Sequence, residues 1–395
     1  MRILTFSTLF PNPEMPHHGI FVGRRLAQLH NHAGSKLHSR VVAPVPWFPS
    51  THPRFGHYAR WASVVAQSQW HGIDVTHPRY PLIPKVGMSI TPWLMAKALY
   101  GQIARLHQQW PFQLIDAHYM YPDGVAAALL GQWLNIPVVI TSRGTDLNLI
   151  PRYTVPRRWI QWAADQAAGL ITVCDALKTP LLELGVAPER VTVLRNGVDL
   201  DFFKPPQARQ ELRQKLDMQQ PTVLSVGHLI ARKGHELAIE ALVDLPELQL
   251  IICGEGPMEG VLRTTAQTLG VAQRVRFVGA LDQTQLRAYY GAADALILAS
   301  SREGWANVLL EAMACGTPVV ASAVWGTPEV VSCPAAGQLF SPRTAQALVT
   351  SLQALLHQLP RREETRSYAE GFSWQTTSTG QLNLFEAILA SKHRG

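Results

Sequence analysis

Short apolar runs alternate with longer amphipathic stretches along almost the whole chain, and this alternation limits the fold more than any other feature. The first half contains six runs typical of buried strands: Ile3–Thr8, Arg40–Val45, Gln113–Ala117, Pro137–Thr141, Leu170–Val173 and Val191–Leu194. Five stretches with helical patterning lie between them: Phe21–His32, Pro92–Trp110, Gly124–Leu134, Pro156–Ala168 and Ala176–Leu184. Alternating strands and helices build β-α-β units, in which helices cover both faces of a parallel sheet. We therefore expect an α/β fold.

The second half repeats this pattern. Its predicted strands are Thr222–Val226, Gln249–Cys253, Val275–Val278, Ala295–Leu298 and Pro318–Ala321. Its predicted helices are His235–Leu242, Met258–Leu269, Gln283–Ala292, Val308–Cys315 and Ala345–Leu355. Between the halves, an Asn-Gly turn signal at Asn196 is followed by Pro205 and Pro206, which favours a domain boundary there. We predict one domain over 1–198, a second over 199–371, and a C-terminal helix within 372–395 that either extends the second domain or crosses back to the first.

The composition supports folded domains and a cytoplasmic protein. Of 395 residues, 47% are hydrophobic and 16% are charged, which argues against disorder. The N-terminus reaches Pro11, Asn12 and Pro13 too soon for a signal peptide, and no window offers the ~18–20 apolar residues of a membrane span. The four cysteines show no Cys-x-x-Cys spacing, so neither a disulfide framework nor a zinc site is expected.

The positive charge lies in the first half. The net charge of the whole chain is +7. Residues 1–200 contain 18 Lys/Arg and 10 Asp/Glu, a net charge of +8, whereas the remainder contains 17 Lys/Arg and 18 Asp/Glu, a net charge of −1. A basic half indicates an anionic partner, such as a phosphate-bearing acceptor, a membrane surface or nucleic acid. A chance surplus on a soluble face explains the charge equally well.

The strongest motif is Glu303-Gly-Trp-Ala-Asn-Val-Leu-Leu-Glu311. Glu303 follows a predicted strand, and Glu311 lies about two turns into the next helix. The start of that helix offers free N–H groups and a positive dipole end, which suit a phosphate, and carboxylates accept hydrogen bonds from sugar hydroxyls. The alternative is that Glu303 is a charge at a helix start and that Glu311 is solvated, although its neighbours are apolar.

A second motif, Ser225-Val-Gly-His-Leu-Ile-Ala-Arg-Lys-Gly234, follows another predicted strand. Gly227 allows close backbone approach, and Arg232 and Lys233 place two cations at a helix start, a pairing that suits a diphosphate. Two exposed surface cations are the alternative.

Two further features lie in the first half. Gly19 occupies the loop after the first strand and either brings backbone amides to a phosphate or forms a flexible turn. His118 ends a strand, and a lone histidine at such a position is usually structural. Gly254-Glu-Gly256 imitates a dinucleotide-binding motif, but the third glycine is one residue late and Pro257 lacks an amide donor.

Taken together, these segments resemble the family 4 glycosyltransferases. The matching pieces occur in family order: Gly19-Ile-Phe-Val, His118 with Pro122-Asp-Gly, Thr141-Ser-Arg-Gly-Thr-Asp146, Asn196-Gly-Val-Asp199, Val226-Gly with Arg232-Lys-Gly234, Cys253-Gly-Glu-Gly-Pro257, the Glu303/Glu311 pair and Phe372-Ser-Trp374. The resemblance implies the GT-B fold, with two facing Rossmann-like domains, parallel sheets and an interdomain cleft. The N-terminal pattern looks most like members that build teichuronic acid, capsule or exopolysaccharide.

The resemblance also implies roles for residues. Donor binding is expected from Gly19, Gly227, Arg232, Lys233, Glu303, Gly304, Trp305, Ala306, Asn307, Val308 and Glu311. The expected catalytic residues are Arg232, Lys233, Glu303 and His118. Arg232 and Lys233 would stabilise the leaving diphosphate, and Glu303 and His118 would contact the donor sugar. Acceptor binding is expected from Arg143, Asp146 and Tyr119. Many relatives have histidine at the place of Arg143, so the resemblance implies an extra cation here for an anionic acceptor. Many also have a Gly-Gly pair where His18-Gly19 stands, which implies a less close approach of the backbone to the phosphate.

The implied reaction is sugar transfer with retention of configuration from a nucleoside-diphosphate sugar to a glycan or lipid-linked acceptor, in cell-surface polysaccharide or glycoconjugate biosynthesis. No cofactor and no metal are expected, since fixed cations take up the charge of the leaving group and no Asp-x-Asp pair is present. The alternatives are a GT-B epimerase or phosphorylase, a non-catalytic sugar-nucleotide sensor, and a nucleic-acid-binding protein, although no nucleic-acid module is visible.

Two aromatic and basic segments indicate a peripheral contact with an anionic membrane at the inner face of the plasma membrane. They are Arg54–Trp61 and Arg152–Trp162. The alternative is that Trp159 and Trp162 are core residues of a helix with exposed arginines.

Overall fold

The chain folds into two compact units. The structure, a computed structural model, describes residues 1–83 and 87–392. Unit 1 comprises Met1–Arg195 together with the chain from Gln375 onward, and unit 2 is Asn196–Trp374. The predicted boundaries, after 198 and after 371, each lie three residues from those of the structure. Of the two alternatives for the C-terminal helix, the structure shows the return to the first unit.

Unit 1 contains an eight-stranded sheet and a separate strand pair. Its strands are β1 Arg2–Phe6, β2 His38–Val42, β3 Val45–Pro46, β4 Gln67–Trp70, β5 Ile73–Thr76, β6 Arg79–Tyr80, β7 Leu114–His118, β8 Val138–Ser142, β9 Gly169–Thr172 and β10 Val191–Val193. The sheet order is β10-β9-β8-β7-β1-β2-β5-β4, and β3 pairs with β6. All neighbours in the large sheet are parallel except β4 and β5.

The antiparallel β4–β5 hairpin departs from the parallel arrangement predicted from the sequence. Its two-residue turn consists of His71 and Gly72, whose φ angles are 47° and 80°. Two successive left-handed residues match a type I′ turn, which suits the twist of a hairpin. The exposed Gln67-Ser-Gln segment lacks an apolar run because it lies at the edge of the sheet.

The helices of unit 1 include one supplied by the end of the chain. They are α1 Ile20–Ala33, α2 His57–Ser63, α3 Thr91–Gln109, α4 Val125–Leu134, α5 Thr145–Asn148, α6 Thr154–Gln166, α7 Lys178–Glu183 and, after unit 2, the helix Trp374–Lys392. Phe385 of this last helix is fully buried in one cluster with Ile3, Leu114 and Ile171, which lie on three strands of the sheet. The C-terminal helix therefore completes the core of unit 1.

Unit 2 is a six-stranded parallel sheet covered by helices. Its strands are β11 Thr222–Val226, β12 Gln249–Cys253, β13 Val275–Phe277, β14 Ala295–Leu298, β15 Val319–Ser322 and β16 Gly337–Phe340. Its helices are α8 Arg209–Lys215, α9 His235–Ala241, α10 Glu259–Thr268, α11 Gln283–Ala292, α12 Asn307–Ala314, α13 Thr327–Val330, α14 Ala345–His357 and α15 Arg362–Glu370, so the C-terminal helix is α16. The sheet order β13-β12-β11-β14-β15-β16 is that of a Rossmann fold.

Within residues 1–83 and 87–392, no helix combines the length and the apolar character needed to cross a bilayer.

Candidate active site

In each unit, the predicted site residues lie at the ends of the two neighbouring strands between which the strand order reverses. In unit 2 the order reverses between β11 and β14, so the chain leaves these neighbouring strands in opposite directions. In unit 1 the corresponding neighbours are β1 and β7. Open α/β sheets bind ligands beyond the carboxyl ends of the strands at such a reversal. Gly227 and Glu303 follow β11 and β14, while Gly19 and His118 follow or end β1 and β7.

Three charged residues of unit 2 form one cluster at this reversal. Glu303 Oε1 accepts hydrogen bonds from Lys233 Nζ at 2.7 Å and from Ser300 Oγ at 2.7 Å. Arg232 Nη1 lies 3.4 Å from the same oxygen and donates to the carbonyl of Arg302 at 2.9 Å. The two predicted diphosphate-binding cations and the predicted sugar-binding carboxylate are therefore in direct contact.

The electrostatics of this cluster keep Glu303 ionised. Burial acts to raise the pKa of Glu303, but the charges of Lys233 and Arg232 and the bonds from Lys233 and Ser300 outweigh it, and the pKa is lowered. The cluster thus holds two cations and one fixed carboxylate at the ends of two adjacent strands. It is able to bind a dianionic group through the cations and hydroxyl groups through the carboxylate.

Two glycines bring the backbone into close approach beside the cluster. Gly227 has a φ of 148°, and a Cβ on it would lie 3.4 Å from Lys233 Cε. Gly254 has a φ of 146°, and a Cβ on it would lie 1.9 Å from the carbonyl oxygen of Gly227. The sequence around Gly254 that imitates a dinucleotide-binding motif is therefore explained by the packing of two loops.

The helix after Glu303 begins at Asn307 and carries the other predicted donor residues. Glu311 is buried and accepts a hydrogen bond from Tyr290 Oη at 3.1 Å. Trp305 Nε1 donates to the carbonyl of Asn196 at 3.0 Å, and Asn196 Nδ2 lies 3.3 Å from Asn307 Oδ1. Glu311 is therefore not a solvated residue, and Trp305 and Asn307 fasten the first residues of unit 2. Gly304 and Ala306 are buried and Val308 is half-buried in the same segment.

In unit 1, His118 lies in a buried network. Its Nε2 lies 3.1 Å from Asp116 Oδ2, and its Nδ1 accepts from Arg143 Nη2 at 2.8 Å. Asp116 Oδ2 also accepts from Gln381 Nε2 of α16 at 3.1 Å, and Gln381 Oε1 accepts from Arg25 Nε at 2.8 Å. Both ring nitrogens of His118 are thus engaged within unit 1, and its contact with the donor sugar stays a prediction.

Asp146 shapes the loop that carries Arg143. Its carboxylate is fully buried and accepts from the backbone amides of Met120 and Gly144, each at 2.7 Å, and of Arg143 at 3.1 Å. These bonds give Asp146 a structural explanation. Tyr119 has a φ of 84° and is half-buried.

Gly19 packs within the loop after β1, and Asp123 joins that loop to the segment after β7. Gly19 has a φ of 61°, and a Cβ on it would lie 2.1 Å from the carbonyl carbon of Leu9, so glycine is required there by packing. Asp123 Oδ2 accepts from the amide and the hydroxyl of Thr8, at 2.8 and 2.9 Å. Burial raises the pKa of Asp123 to about 7, against the lowering effect of the bonds from Thr8 and Ser7.

Sequence reasoning missed several partners of the site residues. Asp116 was detectable, because Asp116 and His118 are two apart on one strand and share a face of the sheet. Ser300 lies three residues from Glu303 and Tyr290 lies 21 residues from Glu311, but neither carries a distinctive motif. Arg25 and Gln381 are 356 positions apart, and no local pattern connects them.

Within residues 1–83 and 87–392, no three His, Cys, Asp or Glu side chains lie close enough together to hold a metal ion.

Comparisons with known proteins agree with this geometry. The sequence model of Glycosyltransferase Family 4 matches residues 67–202, and that of Glycosyl transferases group 1 matches residues 208–372. A D-inositol 3-phosphate glycosyltransferase of Segniliparus rotundus is 30% identical over 309 residues, which cover 72% of this chain and 68% of that protein. TuaC of Bacillus subtilis, a proposed teichuronic acid biosynthesis glycosyltransferase, is 26% identical over 91% of this chain and 90% of its own.

A solved structure shares the fold over the whole chain. HepE of Anabaena, crystallised in complex with UDP, gives a TM-score of 0.75 at 20% identity, with 98% of this chain and 100% of that chain covered. HepE has also been crystallised with UDP-glucose.

The two Rossmann-like units and the similarity to HepE define the GT-B fold. The matching family models and relatives show that the chain is a glycosyltransferase. The chain belongs to glycosyltransferase family 4.

Proposed function

We propose that this glycosyltransferase uses a nucleoside-diphosphate sugar as donor and a glycan or lipid-linked acceptor in cell-surface polysaccharide or glycoconjugate biosynthesis. The contact of Arg232 and Lys233 with Glu303 carries the proposal, because it joins a diphosphate-binding pair to a hydroxyl-binding carboxylate. The UDP and UDP-glucose complexes of HepE support a donor of this class, and the similarity to TuaC supports a polysaccharide acceptor.

The donor would exchange places with an internal ion pair. Glu303 pairs with both Lys233 and Arg232, and its single negative charge compensates one of the two positive charges. A diphosphate carries more charge than one carboxylate, so we expect it to attract both cations and to release Glu303 for hydroxyl groups of the sugar. Arg232 and Lys233 would then stabilise the charge that develops on the leaving diphosphate.

The proposed reaction retains the configuration of the anomeric carbon and needs neither metal nor cofactor. The acceptor hydroxyl would attack on the face from which the diphosphate leaves, and a phosphate oxygen would take its proton. The two fixed cations support the proposed independence of metal ions, since they supply the charge stabilisation for which other enzymes use a metal ion.

Thermal stabilisation by sugar nucleotides tests the donor and the metal requirement together. A ligand that binds only the native state raises its stability by mass action. We expect the sugar nucleotides of one class among UDP-, GDP-, ADP- and dTDP-sugars to raise the melting temperature in the presence of EDTA. We expect Lys233→Gln to abolish this shift. A shift that needs added metal would contradict metal independence, and no shift with any base, alone or with lipid acceptors, would contradict the donor assignment.

The membrane contact predicted from the sequence is also a proposal, together with a location at the inner face of the plasma membrane. Trp159 Nε1 donates to the carbonyl of Ser89 at 2.9 Å, which joins α6 to the segment before α3. In these two segments Ile90, Trp93 and Tyr153 are exposed by 44%, 40% and 50%. Trp159 is half-buried, whereas Tyr153, which also belongs to the predicted segment Arg152–Trp162, is exposed.

Exposed arginines accompany this apolar surface. Arg152, Arg157 and Arg158 lie at or near the start of α6 and are exposed. Apolar side chains next to arginines suit the interface of an anionic bilayer.

Sedimentation with vesicles tests the membrane contact. We expect binding to vesicles that contain phosphatidylglycerol and little binding to phosphatidylcholine alone, because roughly 1 kcal/mol of attraction is expected for each basic residue near an anionic surface. Ile90→Asp should reduce sedimentation, whereas Val261→Asp, at an exposed position of unit 2, serves as the control. Equal sedimentation with both lipids would refute the contact.

A further inference from the structure

We infer that the guanidinium group of Arg143 binds an anionic group, a carboxylate or a phosphate, that one of the two substrates carries. The inference rests on the proposed function and names the chemistry of a substrate. It starts from an imbalance in the hydrogen bonds of this side chain, which is nine-tenths buried.

Arg143 has donors that the protein does not use. Its Nη2 donates to His118 Nδ1 at 2.8 Å, but no acceptor among residues 1–83 and 87–392 contacts its buried Nε and Nη1 atoms. A guanidinium offers five N–H groups, and buried donors without acceptors are costly. The site is therefore incomplete with respect to an acceptor.

The nearby carboxylates contact other groups, although Oδ1 of Asp116 has no hydrogen-bond partner among residues 1–83 and 87–392. Asp146 accepts from three backbone amides, and Asp116 accepts from Gln381 and contacts His118. Within the described residues neither carboxylate forms an ion pair with Arg143. Burial, together with the charge of Arg25, lowers the pKa of Arg143 to about 9, so the guanidinium remains protonated at neutral pH.

The remaining contacts of Arg143 fix its position and leave its donors available. Its Cζ lies 5.1 Å from the centre of the Phe21 ring, at the start of α1, so one face of the guanidinium is stacked. Arg143 follows β8, which is the neighbour of β7 in the sheet. It thus lies at the same end of the sheet as His118, where α/β folds bind ligands.

His118 cannot supply this contact in its present state. Arginine only donates, so Nδ1 of His118 must accept and Nε2 carries the hydrogen toward Asp116. Burial is the main cause of a lowered pKa of His118, which agrees with a neutral ring. Among the buried polar atoms of this part of unit 1 without a hydrogen-bond partner, the Nε and Nη1 atoms of Arg143 are donors that carry a positive charge. Carboxylate or phosphate oxygens fit such a guanidinium better than a neutral hydroxyl does.

Matched ligand pairs test the inference. Calorimetric affinities would be measured for the glucose and glucuronate derivatives of the nucleoside diphosphate that stabilises the protein, and of UDP if none does. Free glucose would be compared with glucuronate and with glucose 6-phosphate in the presence of the same nucleoside diphosphate. The first pair reports an anionic donor, and the other two report an anionic acceptor.

We expect the native protein to prefer the anionic member of at least one pair, and Arg143→Gln to reduce that preference roughly 10- to 100-fold, the range for a lost hydrogen bond to a charged group. Arg143→Lys should retain part of it, and Arg105→Gln, at an exposed position on α3, should leave it unchanged.

Two results would overturn the inference: no anionic preference of the native protein in any pair, or an undiminished preference in a folded Arg143→Gln variant. The native comparison decides by itself if that variant does not fold. Normal binding of the free nucleoside diphosphate without an anionic preference would refute the role of Arg143 and leave the proposed function intact.

Discussion

Gln381 connects two buried charges, and its replacement should weaken unit 1 strongly. Its amide donates to Asp116 at 3.1 Å and accepts from Arg25 at 2.8 Å, and it is 1% exposed. Methionine at this position has a similar length but makes neither bond. Gln381→Met therefore leaves one carboxylate oxygen and one guanidinium N–H without these partners.

The expected loss follows from the two bonds. A hydrogen bond to a charged group contributes about 1.5–3 kcal/mol, so the variant should lose about 3–6 kcal/mol of the free energy of unfolding of unit 1. Such a loss is a large part of the ~5–15 kcal/mol by which proteins are usually stable.

Urea unfolding followed by tryptophan fluorescence measures this loss, because eight of the eleven tryptophans belong to unit 1. Asn383→Met, at an exposed position of the same helix, is the matched control and should stay within about 0.5 kcal/mol of the parent. If Gln381→Met costs less than about 1 kcal/mol, the network does not hold α16 in the way described.

Three further predictions concern charge. Glu303→Gln should bind the free nucleoside diphosphate as tightly as the parent or up to about tenfold more tightly by calorimetry, because no carboxylate competes for the two cations; weaker binding would show that Glu303 is needed to position them. Burial lowers the pKa of His235 to about 4, so between about pH 6.5 and 4 only the unfolded state gains this proton. The free energy of unfolding of unit 2 should therefore fall by up to about 3 kcal/mol as the pH falls through this range. In denaturant titrations followed by circular dichroism, His235→Gln should lose less. The raised pKa of Asp123 has the opposite sign: the native state binds the extra proton between about pH 4 and 7, so the stability of unit 1 should fall as pH rises through this range, and an equally steep fall in Asp123→Asn would assign it to other groups.

The strands and helices of the two units were predictable where their patterns are local. β11, β12 and β14 have the predicted bounds, because apolar runs of four or five residues between turn signals leave few alternatives. The polar edge strand β4 and the short strand β16 were missed. The turn at His71-Gly72 was the available signal for β4, since glycine in the second position favours a hairpin.

The clustering of Arg232, Lys233 and Glu303 was expected from their positions after strands, and the parallel topology brings the ends of β11 and β14 together. The network around His118 was not predictable in the same way. Gln381 comes from a distant helix, and only the packing of that helix determines that its amide reaches Asp116.

The return of the C-terminal helix to unit 1 has a consequence for folding during translation. Residues 1–195 are synthesised before unit 2, yet their core lacks Phe385, and their buried Arg25 and Asp116 lack Gln381, until the segment that follows unit 2 has been made. Unit 2 is continuous from Asn196 to Trp374 and has all its residues earlier. The half that is translated first is thus the half that is finished last, and a nascent chain would hold unit 1 incomplete while unit 2 emerges and folds.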